Sequence, residues 1–134
     1  QYTGIEGANI FAGTGSKGAS DNTETDLDTY GFTYTMGSIT VGAQHSETDV
    51  SGTADQEKDA IGIAFAINEN LSVSYGASET EEVGATLDQE LSGMSIGYSM
   101  GGVSIKAHAN KGENVSNVAA SEYEHTEIAV SFAF

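Results

Sequence analysis

The sequence has no cysteine, no proline and no tryptophan, and only 4 basic side chains against 20 acidic ones. Without cysteine, disulfide scaffolds and thiolate metal sites are excluded. A net charge of −16 leaves no basic footprint for nucleic acid. It suits solubility or cation binding. No apolar run approaches the roughly 18–20 residues of a transmembrane helix. Helical periodicity is weak throughout. No secretory signal stands at Gln1, as expected of a mature chain or a fragment. At 134 residues the chain is long enough for one domain with a core, yet only 38% of it is hydrophobic.

What the sequence does have is glycine, 17 residues of it, and strict alternation. Three segments resemble one another: GFTYTMGSITVGAQ (31–44), GIAFAINENLSVSYGA (62–77) and SIGYSMGGVSIKAH (95–108). In each, two alternating runs flank a short turn, at 37–38, 68–70 and 101–102. Gly and Asn there supply the positive φ that tight hairpins need. Tyr34, Phe65 and Tyr98 each stand three positions before a turn, and Phe132 continues the series at intervals of 31, 33 and 34 residues. Long acidic stretches, read as loops, lie between the hairpins at 13–26, 46–59, 78–90 and 111–122. Counting runs predicts eight strands: about 2–12, 27–36, 39–47, 59–67, 71–79, 90–100, 103–111 and 122–134. The first alternates poorly.

One face of these strands collects Tyr, Phe, Ile, Val, Leu and Met; the other collects Gly, Ala, Ser and Thr, with Gln44, Lys106 and His108. A soluble sandwich buries the apolar face. A membrane barrel turns it toward lipid. The pattern favours the barrel. Turns alternate short and long, as in outer-membrane barrels. The rings of Tyr34, Phe65, Tyr98 and Phe132 recur at one distance from the turns, as an interfacial girdle requires. Each apolar stretch is taken to fill the roughly 9–11 residues of a tilted spanning strand.

The chain closes on EIAVSFAF, with Ile128, Val130, Phe132 and Phe134 on one face. An alternating apolar strand ending in Phe resembles the terminal strand of bacterial outer-membrane β-barrels. The resemblance implies that these four residues are an assembly signal read by the barrel assembly machinery. The wider texture, YGFTYTMGSITVGAQ and GMSIGYSMGGVSIKAHANKGENV, is similar to the C-terminal half of alphaproteobacterial general porins. That likeness covers about residues 27–134. It implies a homotrimer of 16-stranded barrels in the outer membrane of a Gram-negative bacterium, among lipid and lipopolysaccharide.

The expected fold is therefore all-β, a transmembrane antiparallel up-and-down barrel. Eight strands alone close a narrow barrel whose interior side chains must fill. Small inward residues suit a wide wall instead, so residues 1–134 read as one segment of a larger porin, with short periplasmic turns and long outer loops. The expected function is a water-filled channel for passive diffusion of small hydrophilic solutes and ions. Two rivals stand beside it: a complete eight-stranded barrel that anchors or adheres, and a secreted β-sandwich that binds cations as an adhesion module.

Thr33, Gln44, Lys106, His108 and Glu127 are the expected lining positions, with Glu127 placed to pair with Lys106. GTGSKG at 13–18 matches a dinucleotide fingerprint in form, but no helix follows it. Asp55, Glu57 and Asp59 have the oxygen character of a loop-bound Ca2+ site, without the spacing of a calcium loop. Cations held there could bridge to lipid phosphates. His45, His108 and His125 do not form a metal spacing within one strand. No nucleophile elbow or acid/base pair is present, so no enzyme and no organic cofactor is expected.

Overall fold

The computed structural model describes residues 4–18, 24–52 and 54–133. Eight strands follow in chain order: β1 (Ala8–Gly18), β2 (Glu24–Met36), β3 (Ile39–Val50), β4 (Gln56–Asn68), β5 (Leu71–Glu82), β6 (Gln89–Met100), β7 (Val103–Glu113) and β8 (Tyr123–Phe132). Each pairs antiparallel with the next, in one up-and-down sheet ordered β1 to β8. Among the described residues no ladder joins β1 to β8, so the sheet is open. Tight turns at residues 37–38, 69–70 and 101–102 connect one end. Gly37, Gly101 and Gly102 take the positive φ these turns demand, at 59°, 60° and 81°. Asn68 belongs to β4, and its side-chain Oδ1 accepts the Asn70 N–H at 2.9 Å to close the second turn.

Two expectations are corrected. The first strand runs over 8–18, not 2–12. Its poor alternation has a cause. Ile10 lies on the apolar face opposite Phe32, while Phe11 lies on the polar face, its Cζ 2.6 Å from where a Cβ on Gly31 would sit. A large apolar side chain on each face, Ile10 on one and Phe11 on the other, erases the period-2 signal. GTGSKG is consequently strand, with Ser16 opposite Asp26 and Lys17 opposite Thr25.

The long acidic stretches are also partly strand, over 13–18, 24–26, 46–50, 56–59, 78–82, 89–90 and 111–113. Described non-strand residues on that side are only 51–52, 54–55, 83–88 and 114–122. Residues 19–23, between β1 and β2, lie outside the described set. The ladders continue past the apolar band because backbone N–H and C=O groups pair whatever the side chain. Like charges then meet directly: Glu47 opposite Glu57, Glu57 opposite Glu81, Asp59 opposite Glu79. Such pairs are unfavourable, and they are tolerated where water screens them.

Among the described residues no hydrophobic side chain is buried. Ile61 is 63% exposed and Ile128 70%. Fully withdrawing such a side chain from water is worth about 1.5–3 kcal/mol. A sheet of one layer cannot supply that cover itself, so its apolar face is a contact surface.

Candidate functional site

The ladders sort the chain into two faces. Tyr34, Val41, Ile63, Tyr75 and Met94 form one apolar row across β2 to β6. The next row toward the turns holds Met36, Ile39, Phe65, Val73, Ile96, Ala107 and Ile128. At the opposite edge a charged row follows: His45, Asp59, Glu79, Glu90 and Glu113, on β3 to β7. Between these charges and the turns the apolar face spans only residues such as 61–67 and 71–77, seven per strand. That is shorter than the 9–11 expected, because the charged strand ends belong outside the band.

The four expected girdle rings are staggered along the ladders. Tyr34 shares a row with Ile63, two residues before Phe65. Phe65 shares one with Ile96, two before Tyr98. Tyr98 shares one with Val130, two before Phe132. Each hairpin therefore shifts the ring by two residues toward the turns. At about 3.3 Å per residue and 4.8 Å per strand, this line is inclined by about 35°. The rings share one level when the strands tilt by that angle, within the 35–45° of membrane barrels. Ile128, Val130 and Phe132 of the expected terminal signal lie on the same face of β8; Phe134 lies outside the described residues.

The other face carries all five expected lining residues, and it is nearly bare. Gly42, Gly62, Gly76 and Gly93 stand side by side on β3 to β6. Thr33 stands beside Gly42 at one end of this row, and Asn110 and His125 follow Gly93 at the other. A Cβ on Gly62 or Gly76 would meet only ordinary contacts, at 3.7 and 3.5 Å. Gln44, opposite Gly31 and Ala60, donates from Nε2 to Ser46 Oγ at 3.0 Å. Cross-strand hydroxyl pairs Thr35–Thr40 and Ser74–Ser95 close at 2.9 and 2.8 Å.

Glu127 does not pair with Lys106. The β7–β8 register sets Lys106 opposite Ala129 and Glu127 opposite His108, whose Nε2 lies 3.5 Å from Glu127 Oε2. His125, two residues before Glu127 on the same face of β8, brings its Nε2 to 3.6 Å from the same oxygen. The ring of Tyr123 stacks on His125 at 6.2 Å. Sequence spacing could not show this cluster, since only the ladder makes 108 and 127 neighbours.

Asp55, Glu57 and Asp59 are not brought together. Asp55 accepts the Val50 N–H at 3.3 Å, and Asp59 takes His45 Nδ1 at 2.8 Å. His45 lies beyond the apolar band. The hydrogen bond to Asp59 holds its pKa above the ordinary histidine value; desolvation opposes it, and the charges of Asp59, Glu57 and Glu47 add to the rise. Among the described residues two groups have three convergent ligand atoms: His108–His125–Glu127 and Glu79–Glu81–Asp88.

No protein-family profile matches the chain, and no curated protein matches it. Solved structures do match in shape. Outer-membrane expressed OmpT of Vibrio cholerae aligns at TM-score 0.65 and 16% identity, over 97% of this chain and 53% of that one. In-vitro folded OmpT, an outer membrane protein of the same organism in trimer form, aligns at 0.69 and 15%, over 96% and 53%. Its loop L8 deletion mutant aligns at 0.60 and 15%, over 96% and 50%. The chain thus spans about half the length of these proteins. The likeness is one of fold: this sheet is similar to the walls of outer-membrane β-barrels.

Proposed function

We propose that the eight strands form part of the wall of a porin-type channel in a bacterial outer membrane. The observation that carries this is the sheet in which, among the described residues, no hydrophobic side chain is buried, apolar on one face and lined with Gly, Ser and Thr on the other. Lipid would cover the first face. Water would fill the space against the second. An open sheet cannot stand in lipid, because its edges would expose unpaired backbone. Further strands, from more polypeptide or another copy, complete the ring. Eight strands over about half of the OmpT length support a ring of about sixteen.

Transport is passive and needs no catalytic step. Solutes cross by diffusion, sorted by pore width and wall charge. Thr33, Gln44, Lys106, His108 and Glu127 are wall positions. The charged ends at Glu47, Glu57, Asp59, Glu79 and Glu81 surround the mouth, so cations are concentrated there. A trimer, docking by the barrel assembly machinery, and contact of the acidic rim with lipopolysaccharide through bridging cations complete the reading.

Reconstitution into a planar bilayer tests it. Stepwise conductance with a cation-selective reversal potential is expected. Protein that stays soluble without detergent, or inserts without conducting, would overturn the reading.

A further inference from the structure

We propose that His108, His125 and Glu127 form a binding site for one divalent transition-metal ion of the zinc type. The site sits on the polar face where β7 meets β8.

The ladder builds it. His108 and Glu127 are direct cross-strand partners, and His125 is the next residue of β8 on that face. Both imidazole Nε2 atoms converge on one carboxylate oxygen, at 3.5 and 3.6 Å. A tetrahedral ion with bonds of about 2.1 Å separates its ligands by about 3.4 Å. The three groups therefore already stand near the edge lengths of such a polyhedron, all ligand atoms within 4.8 Å. A centred ion would replace these two long contacts to one oxygen with three bonds of ordinary length.

Ligand chemistry selects the class. Two imidazoles and a carboxylate suit Zn2+, Ni2+ or Cu2+, whereas Ca2+ and Mg2+ take oxygen ligands. The side chains are 35%, 46% and 54% exposed, so an ion can enter without opening the sheet. Three protein ligands leave a fourth position to water. Lys106 stands one step along β7 on the same face, opposite Ala129. Its backbone lies about 6–7 Å from that of His108, and its positive charge on the same face opposes the ion and keeps the affinity moderate. The Tyr123 ring lies parallel to that of His125, with centroids 6.2 Å apart. The site requires only that this face meets water, so it stands whether or not the barrel conducts.

The test uses the full chain folded in detergent and titrated with Zn2+ by calorimetry. One ion per chain is expected, with Ca2+ at least about tenfold weaker. His108→Ala, His125→Ala and Glu127→Ala should each weaken Zn2+ about tenfold or more, with circular dichroism of the folded barrel retained. His45→Ala, on the opposite face, should bind as the parent does. Co2+ should give the visible absorption of a four-coordinate ion, lost in the His108→Ala/His125→Ala double variant. Zn2+ affinity unchanged in that double variant, equal affinity for Ca2+, or binding removed by His45→Ala would overturn the assignment.

Discussion

Gly62 on β4 stands directly opposite Gly76 on β5, and a Cβ built on either meets no atom closer than 3.5 Å. Nothing in the sheet itself requires glycine there. Glycine inside a strand costs roughly 0.5–1 kcal/mol relative to alanine, so these two glycines serve what lies against them, whereas Gly42 and Gly93 of the same row are held to glycine by Thr33 and Asn110. Gly62→Gln should fold with unchanged or higher thermal stability and lower single-channel conductance. A variant that folds and conducts like the parent would remove this pair from the pore wall.

The two faces of β6 should report two environments. Ile96 belongs to the apolar row and Ser95 to the polar one. The chain has no native cysteine, so a spin label at either position is unique. A label at 96 should collide with lipid-dissolved oxygen, and one at 95 with a water-soluble nickel chelate. Ile96→Lys should cost about 2–4 kcal/mol if it lies near the bilayer midplane. The reverse accessibility would turn the barrel inside out.

The His45–Asp59 pair predicts a pH dependence. Because the hydrogen bond to Asp59 raises the folded pKa, the protonated form is the one stabilised. Its contribution is fully present below about pH 6.5, the unfolded value. It fades as pH rises through the higher folded value. NMR titration of the His45 imidazole should give a midpoint above the ordinary one, and Asp59→Asn should bring it back. An unchanged midpoint in that variant would remove Asp59 as the cause.

Wall charge should act on selectivity rather than on folding. Glu127 is 54% exposed, and exposed ion pairs contribute about 0–1 kcal/mol. In chelator-treated buffer, Glu127→Gln should leave stability nearly unchanged and move the reversal potential toward anions. Lys106→Gln should move it toward cations. No shift from either variant would place β7 and β8 away from the ion path.

Much of this was legible along the chain. Tyr30, Phe32, Tyr34 and Met36 announce their shared face because successive side chains of a strand alternate. Gly37 and Gly101–Gly102 announce their turns because positive φ favours glycine. The acidic strand ends were hidden, since Glu57 and Glu81 have no strand-forming signature and extend only because a neighbour's backbone pairs with them. The first strand is masked in the sequence because Phe11 contradicts the alternation that its neighbours obey.

The period, the turns and the sharing of a face by alternate side chains are written in the chain. These are local: a strand's side chains alternate and a tight turn selects its residues whatever lies beyond. Which residues stand opposite one another emerges from the folded sheet. Pairing of Glu127 with His108 instead of Lys106, the glycine row, and the 35° line of rings all follow from register. Across the tight turns the turn itself fixes register, but β7 and β8 are joined through residues 114–122, and there the pairing of whole strands sets which residues stand opposite.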